Sequence, residues 1–213
     1  MDNPLEYYEK HIEIYSERVK KLHRTMTALG WGRLLVFAIT VSGIYWTFGQ
    51  WQVVLMIALI GFAVFLYLLA NYNNARSERL FNEALLKINE EEINVASGHF
   101  HDRKDGLEFQ DPSHWYSLDI DLFGRGSFFQ YINRTTITEG SLTLANALKA
   151  NNIEGIKLRQ DAIKELSKKT QWRQYYSATS SLVSVDTPAS QIISWLKEYQ
   201  SFLPKMVIWL PRV

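Results

Sequence analysis

Two apolar runs decide the fold of this chain: LLVFAITVSGIYWTF at residues 34–48 and VVLMIALIGFAVFLYLLA at residues 53–70. Only Gly49, Gln50, Trp51 and Gln52 separate them, and neither run contains a charge. The second run has 18 residues, and about 17–25 apolar residues suffice for a helix to cross a bilayer. The first is short alone. It reaches spanning length by extending back through Leu29, Gly30, Trp31 and Gly32, with Arg33 snorkelling to the interface. Trp31, Trp46 and Trp51, and Tyr67 and Tyr72 at the other exit, stand where interfacial aromatics belong. The reading is a transmembrane hairpin over residues 29–72. A buried soluble hairpin is the alternative, but two adjacent uncharged runs of this length are rare in soluble cores. A signal peptide does not fit, because a long charged segment precedes the first run and no small-residue cleavage site follows it.

Basic residues set the expected orientation. Lys10, Arg18, Lys20, Lys21, Arg24 and Arg33 precede the hairpin, Arg76, Arg79 and Lys87 follow it, and the connecting loop has none. The positive-inside rule then puts both flanks in the cytoplasm. The expected location is a cytoplasmic membrane, crossed twice.

Outward from the hairpin the pattern changes to heptads. Leu5, Tyr8, Ile12, Tyr15, Val19, Leu22, Met26 and Leu29 alternate spacings of three and four, and the seam runs straight into the first membrane helix. After the hairpin, Phe81, Leu85, Ile88 and Val95 repeat it, with Glu92 interrupting. Residues 5–28 and 72–95 are equal in length, about 36 Å each as helices. They could pair with each other as an antiparallel stalk, or the first seam could join two copies of the chain. A helix lying on the lipid is disfavoured, since Glu6, Glu9, Glu13 and Glu17 would be repelled by an anionic surface. The segments are therefore a heptad helix at 1–28, the hairpin, and a stalk helix at 73–96.

Residues 97–121 contain Gly98, Gly106, Pro112 and many charges, and read as a linker with short strands. His99 and His101 would share one side of a strand and could meet a metal with Asp102 or His114; a solvated polar loop is the favoured reading. Residues 122–202 follow a helical pattern, with helices expected at 127–133, 139–150, 153–168, 171–182 and 188–202. Thr138 and Thr170 are candidate caps, and Thr187 with Pro188 is a cap followed by proline at the first helical position. Short connections predict an all-α bundle. Residues 203–213 become apolar again, as expected at the start of a truncated segment.

The stretch 122–166, LFGRGSFFQYINRTTITEGSLTLANALKANNIEGIKLRQDAIKEL, carries a specific order of residues. The Leu122-Phe123 turn leads to Asn133-Arg134-Thr135, then Thr138 and Gly140, a leucine-rich helix, and Arg159-Gln160 before another apolar helix. This order resembles the opening of the core, or lever, domain of the MutS family of DNA mismatch-repair ATPases. The resemblance implies ATP and Mg as cofactors of a longer parent protein, dimerisation through that parent, and DNA contacts in parts outside this stretch. It implies no catalytic residue here. Two departures stand out: a membrane hairpin precedes the core, and the family's mismatch-reading motif of an aromatic residue with glutamate is not visible. No G-x-x-x-x-G-K-[ST] loop occurs, so the chain as given is expected neither to bind nor to hydrolyse ATP.

The residues of this motif also have architectural readings. Gly140 would permit a close approach by a neighbour. Arg134 and Arg159 would pair with Asp119, Asp121 or Asp161. Lys164, Lys168, Lys169 and Arg173, with Trp172 and Tyr175 nearby, could contact nucleic acid, although a solvated helix end is the favoured reading. With 213 residues, a net charge of +1 and no cysteine, the chain suits one or two domains, lacks the charge of a whole-protein polyanion binder, and excludes disulfides and thiolate metal sites. A non-enzymatic membrane scaffold remains the competing reading.

Overall fold

A computed structural model of the chain describes residues 4–150, 152–183 and 189–198. Every regular element among them is helical. Helix α1 (Pro4–Trp46) and helix α2 (Trp51–Ala96) have 43 and 46 residues, about 65–70 Å each. Each passes from the stalk into the apolar run without a break at 28 or 72. The junctions hold weak helix formers, Gly30 and Gly32 in α1 and Asn71, Asn73 and Asn74 in α2, but after Pro4, at the first position of α1, no proline interrupts either helix.

The turn between them sets their register. Gly49 adopts φ 106°, a conformation that favours glycine, and the last turn of α1 closes through Thr47 Oγ1 donating to the Gly43 carbonyl at 2.8 Å. With so short a turn the helices must pack antiparallel along their lengths. Gly43 meets Ile57, Gly61 meets Thr40, Gly32 meets Leu68, and Arg33 lies 4.2 Å from the centroid of the Tyr72 ring. Further down, Tyr15 and Leu85 are buried in one cluster. The first heptad seam is thus covered by α2 of the same chain. Tyr15 and Met26 are its most buried members, and Leu5, at its far end, is 37% exposed.

Both long helices contain a stretch apolar and long enough to cross a membrane. Neither stretch is buried within the chain. Phe37, Ile39, Trp46, Leu59 and Phe62 are each at least 60% exposed, far more apolar surface than water tolerates on a solitary protein.

Beyond α2 the chain folds back on the foot of the stalk. Residues 97–127 form turns and a single 3-10 turn (Leu107–Phe109), so the short strands expected in the linker do not form among the described residues. The reason is local: Asp105 and Asp111 accept from backbone amides two residues on, an arrangement that favours turns. Three short helices follow in close order, α3 (Phe128–Ile132), α4 (Thr138–Lys149) and α5 (Ile156–Ser167), and then α6 (Thr170–Ser181). Leu122, Phe123, Phe129 and Ala145 make a small core, with the rings of Phe109, Phe123 and Phe129 5.5–6.1 Å apart. Gly106, at φ 70°, is required there, because a Cβ would lie 2.6 Å from the Phe129 ring. Helix α6 packs on α2, whereas α5 touches α6 and leaves Ile156, Leu158 and Ile163 exposed.

The described residues as far as Leu182 form one compact unit, and a second begins at Val183. In the second, helix α7 (Ala189–Glu198) lies inside the predicted helix 188–202. The Thr187-Pro188 cap and the apolar segment 203–213 lie outside the described residues.

Candidate functional site

Of the residues singled out in the stretch 122–166, Asn133, Arg134 and Thr135 lie at the foot of the stalk, and Arg134 fastens them to α2. Two glutamates in its last turns, Glu91 and Glu92, each meet an arginine from the folded-back segment. Arg134 Nε and Nη2 donate to the two oxygens of Glu92 at 2.6 and 3.1 Å, a forked pair. Its Nη1 also donates to the Tyr131 carbonyl at 2.7 Å. Arg103 Nη1 donates to Glu91 at 3.0 Å, and its Nη2 to the carbonyl of Asn133 at 2.5 Å.

The Arg134 partner is therefore not Asp119, Asp121 or Asp161, the carboxylates expected from the sequence. The forked geometry selects Glu92 because chain reversal brings residue 134 against the last turns of α2. Arg159 does not find an aspartate either. Its Nη2 reaches the Asn152 carbonyl at 3.4 Å, and Arg159 and Gln160 are exposed on α5.

Asn133 is buried and organises the approach to α4. Its Oδ1 accepts from the amide of Thr135 at 2.9 Å and from the Thr135 hydroxyl at 2.7 Å. The Thr135 hydroxyl also lies 2.6 Å from that of Ser141. This chain of contacts displaces Thr138 from the capping position. Helix α4 begins at Thr138, and the N-cap is Ile137, without a side-chain cap. Likewise α6 begins at Thr170 with Lys169 as its N-cap, so Thr170 caps nothing. Gly140 does admit a close neighbour: an added Cβ would stand 3.3 Å from Thr135 Cβ. Leu122 and Phe123 belong to the small core.

The loop behind Arg103 is locked by Gln130. This buried amide donates to the carbonyls of Arg103 and His101 at 2.6 and 3.0 Å and accepts from the Gly126 amide at 2.7 Å. Ser127 caps α3 by accepting from the Gln130 amide. A second tie joins α6 to the stalk. Gln174 Nε2 donates to Asn89 Oδ1 at 2.9 Å, while Asn89 Nδ2 donates to the Leu85 carbonyl at 2.7 Å. Both side chains are buried, and Gln174 Oε1 has no partner. Ala178 of α6 packs beside Tyr15 and Leu85. Burial, and then the neighbouring Tyr175, push the Tyr15 phenol up to about 12.

The basic residues considered for nucleic acid lie across the α5–α6 turn. Lys164, Lys168, Lys169 and Arg173 are exposed. Lys169 is paired with Glu165, which holds that carboxyl below its ordinary range. Trp172 stacks on Tyr176 with centroids 5.5 Å apart, while Tyr175 turns to meet Phe81 of the stalk edge-on. Of the linker histidines, His114 Nε2 is within 3.0 Å of the Lys149 carbonyl and His101 stacks on Phe100. Among the described residues, no three His, Cys, Asp or Glu side chains converge as metal ligands would.

Glu91, Arg103, Asn89 and Gln174 were not legible as site residues. Glu92 did leave a signal, because a charge that interrupts a heptad seam demands a partner. What the junction offers chemically is charge pairing and buried amide bonding, the means of holding one rigid element to another. No protein-family model matches the chain, and no curated protein or solved structure shows significant similarity to it.

Proposed function

We propose that this chain is the membrane anchor and the beginning of the lever of a MutS-like ATPase. The observation that carries the proposal is the forked Arg134–Glu92 pair. It ties the Asn133-Arg134-Thr135 triplet of the resemblance to a helix that continues unbroken to the membrane-spanning stretch. In this reading the helical segment that begins at residue 122 is the lever's start. It couples a nucleotide-driven dimer, built by later parts of the parent, to a stalk fixed in the bilayer. Coupling of that kind needs rigid elements with two arrangements. ATP and Mg act in the parent, this portion performs no catalysis, and any DNA is held elsewhere. The hairpin crosses a bacterial inner membrane with both flanks cytoplasmic, as the basic residues around it support.

Reading the parent frame past Val213 and assaying the purified parent tests the proposal. A phosphate loop and measurable ATP hydrolysis support it; a parent with neither refutes it. Topology is tested separately. The chain has no cysteine, so single Gln50→Cys and Ser97→Cys variants can be labelled from either side of the membrane. Labelling of both from the same side refutes the hairpin topology.

The exposed Ile156, Leu158 and Ile163 on α5 favour a second reading, a membrane-bound scaffold that recruits a partner through this helix. That reading predicts no phosphate loop downstream.

A further inference from the structure

The paired stalk is electrically divided along its length. In the half next to the apolar hairpin, α1 carries Arg18, Lys20, Lys21, Arg24 and Arg33 with no acid between them. Across from them α2 brings Arg76 and Arg79, with Glu78 the one acid between them, its register fixed by Arg79 Nη1 lying 3.2 Å from His23 Nδ1. In the far half the balance reverses, with Glu6, Glu9, Glu13 and Glu17 on α1 and Glu83, Glu90, Glu91 and Glu92 on α2.

The two halves also differ in how their charges are used. Glu83, Glu91 and Glu92 are taken by Arg79, by Lys87 with Arg103, and by Arg134. Arg18, Lys20, Lys21, Arg24 and Arg76 are exposed and make no ion pair among the described residues, although the Arg18 guanidinium lies 5.8 Å from the centroid of the Tyr15 ring. A groove of about 630 Å³ runs along this face of α1 from Ile14 to Thr25, with Arg18, Lys20, Lys21 and Arg24 along it and Glu17 the one acid in its lining. Exposed cations clustered along one end of a rigid rod set up a positive potential that attracts anions.

The level of these cations identifies the anion. Arg33, stacked over Tyr72, marks the edge of the apolar stretch. Arg76 lies about 6 Å below that edge and Arg24 about 13 Å below it along straight helices. The headgroup layer occupies roughly 5–8 Å on each side of the hydrocarbon, and long arginine side chains reach back across the remaining distance. Lys20 and Lys21 stand further out, where they act through their field.

We propose that this basic collar is a binding surface for acidic phospholipid headgroups and that it stands the stalk upright on the membrane. The acidic half is repelled by the same surface, so attraction above and repulsion below both resist the stalk lying down. The proposal rests on the reading that α1 and α2 cross the bilayer.

The test uses the full chain in mild detergent, titrated with phosphatidylglycerol or with phosphatidylcholine of the same acyl chains and read by native mass spectrometry. A basic side chain near an acidic surface contributes about 1 kcal/mol, or roughly fivefold in affinity. Phosphatidylglycerol should therefore bind more than about tenfold tighter, and Arg24→Gln with Arg76→Gln should bring the two lipids within about threefold. Lys157→Gln on α5 with Arg125→Gln ahead of α3 should leave the preference unchanged. Raising salt from about 50 to 500 mM should weaken it several-fold. Flotation with neutral liposomes separates the two readings. A chain that floats yet binds both lipids equally overturns the collar proposal, whereas a chain that floats with no liposome overturns the spanning reading. A short DNA duplex that displaces phosphatidylglycerol at lower concentration than free phosphatidylglycerol does would overturn the lipid assignment.

Discussion

Breaking the Arg134–Glu92 pair should loosen the triplet at residues 133–135 while leaving the stalk intact. The pair consists of two charge-assisted hydrogen bonds in forked geometry, each contributing about 1.5–3 kcal/mol when fully desolvated. Here the Arg134 and Glu92 side chains keep 35% and 22% of their exposure, so solvent screens the interaction. A coupling of about 1–1.5 kcal/mol is the reasonable magnitude. Arg134→Gln should cost more than Glu92→Gln, because it also removes the bond to the Tyr131 carbonyl. The readout is amide hydrogen exchange over residues 133–141 in the detergent-solubilised chain, for wild type, both single variants and the double variant. Each 1.4 kcal/mol of lost protection appears as tenfold faster exchange. The single variants should exchange roughly five- to thirtyfold faster, and the double variant little faster than Arg134→Gln. If the two effects multiply, the pair does not hold the triplet and the argument for the junction fails. Accelerated exchange throughout the stalk would equally refute it, since the pair would then support the whole fold.

Three further perturbations test other parts of the structure. Gly61→Ala would place a Cβ 2.3 Å from Thr40 Oγ1; it should cost about 1–3 kcal/mol in detergent unfolding followed by circular dichroism, and Thr40→Ala should offset part of that loss, whereas strictly additive losses would show that the helices do not meet there. Gln174→Leu should destabilise the α6 contact by about 1–3 kcal/mol because it strands buried Asn89 Oδ1, and the double variant with Asn89→Leu should recover most of it in the same unfolding assay. Tyr15 has a folded pKa raised from 10.0 to about 12, so its contribution to stability is complete below pH 10 and is lost as pH rises through about 12; burial raises Tyr7 and Tyr8 as well, so tyrosinate absorbance should show several late-titrating phenols, one of which disappears in Tyr15→Phe, and an unchanged titration curve would contradict the burial.

How much of this could be read from the residues depends on how local each cause is. The helical character of 128–132, 138–149, 156–167 and 170–181 follows from periodicity and spacing, and the expected helices there differ from the observed ones by three residues or fewer at each end. The first residues of α4 and α6 were harder, because Thr138 and Thr170 have the chemistry of caps but compete with a tertiary arrangement. Asn133, Thr135 and Ser141 form that arrangement ahead of α4. Asn89 and Gln174 left no trace in the reading, since Asn89 lies beside the Phe81-Leu85-Ile88-Val95 seam and does not interrupt it, and a polar residue there declares itself only when its partner from another helix is known.

By itself, the sequence determined the two apolar helices, their connection by a short turn, the all-helical character and the face of each stalk helix that must be covered. These follow from hydrophobic spacing along the chain, which needs no knowledge of distant residues. Tertiary structure decided what covers that face and which carboxylate receives each arginine. The heptad seam of α1 suits a second copy as well as α2, but a turn of a few residues holds α2 at very high effective concentration beside it. Arg134 had several acids of equal chemistry to choose from, and only chain reversal at the foot of the stalk puts Glu92 within 2.6 Å.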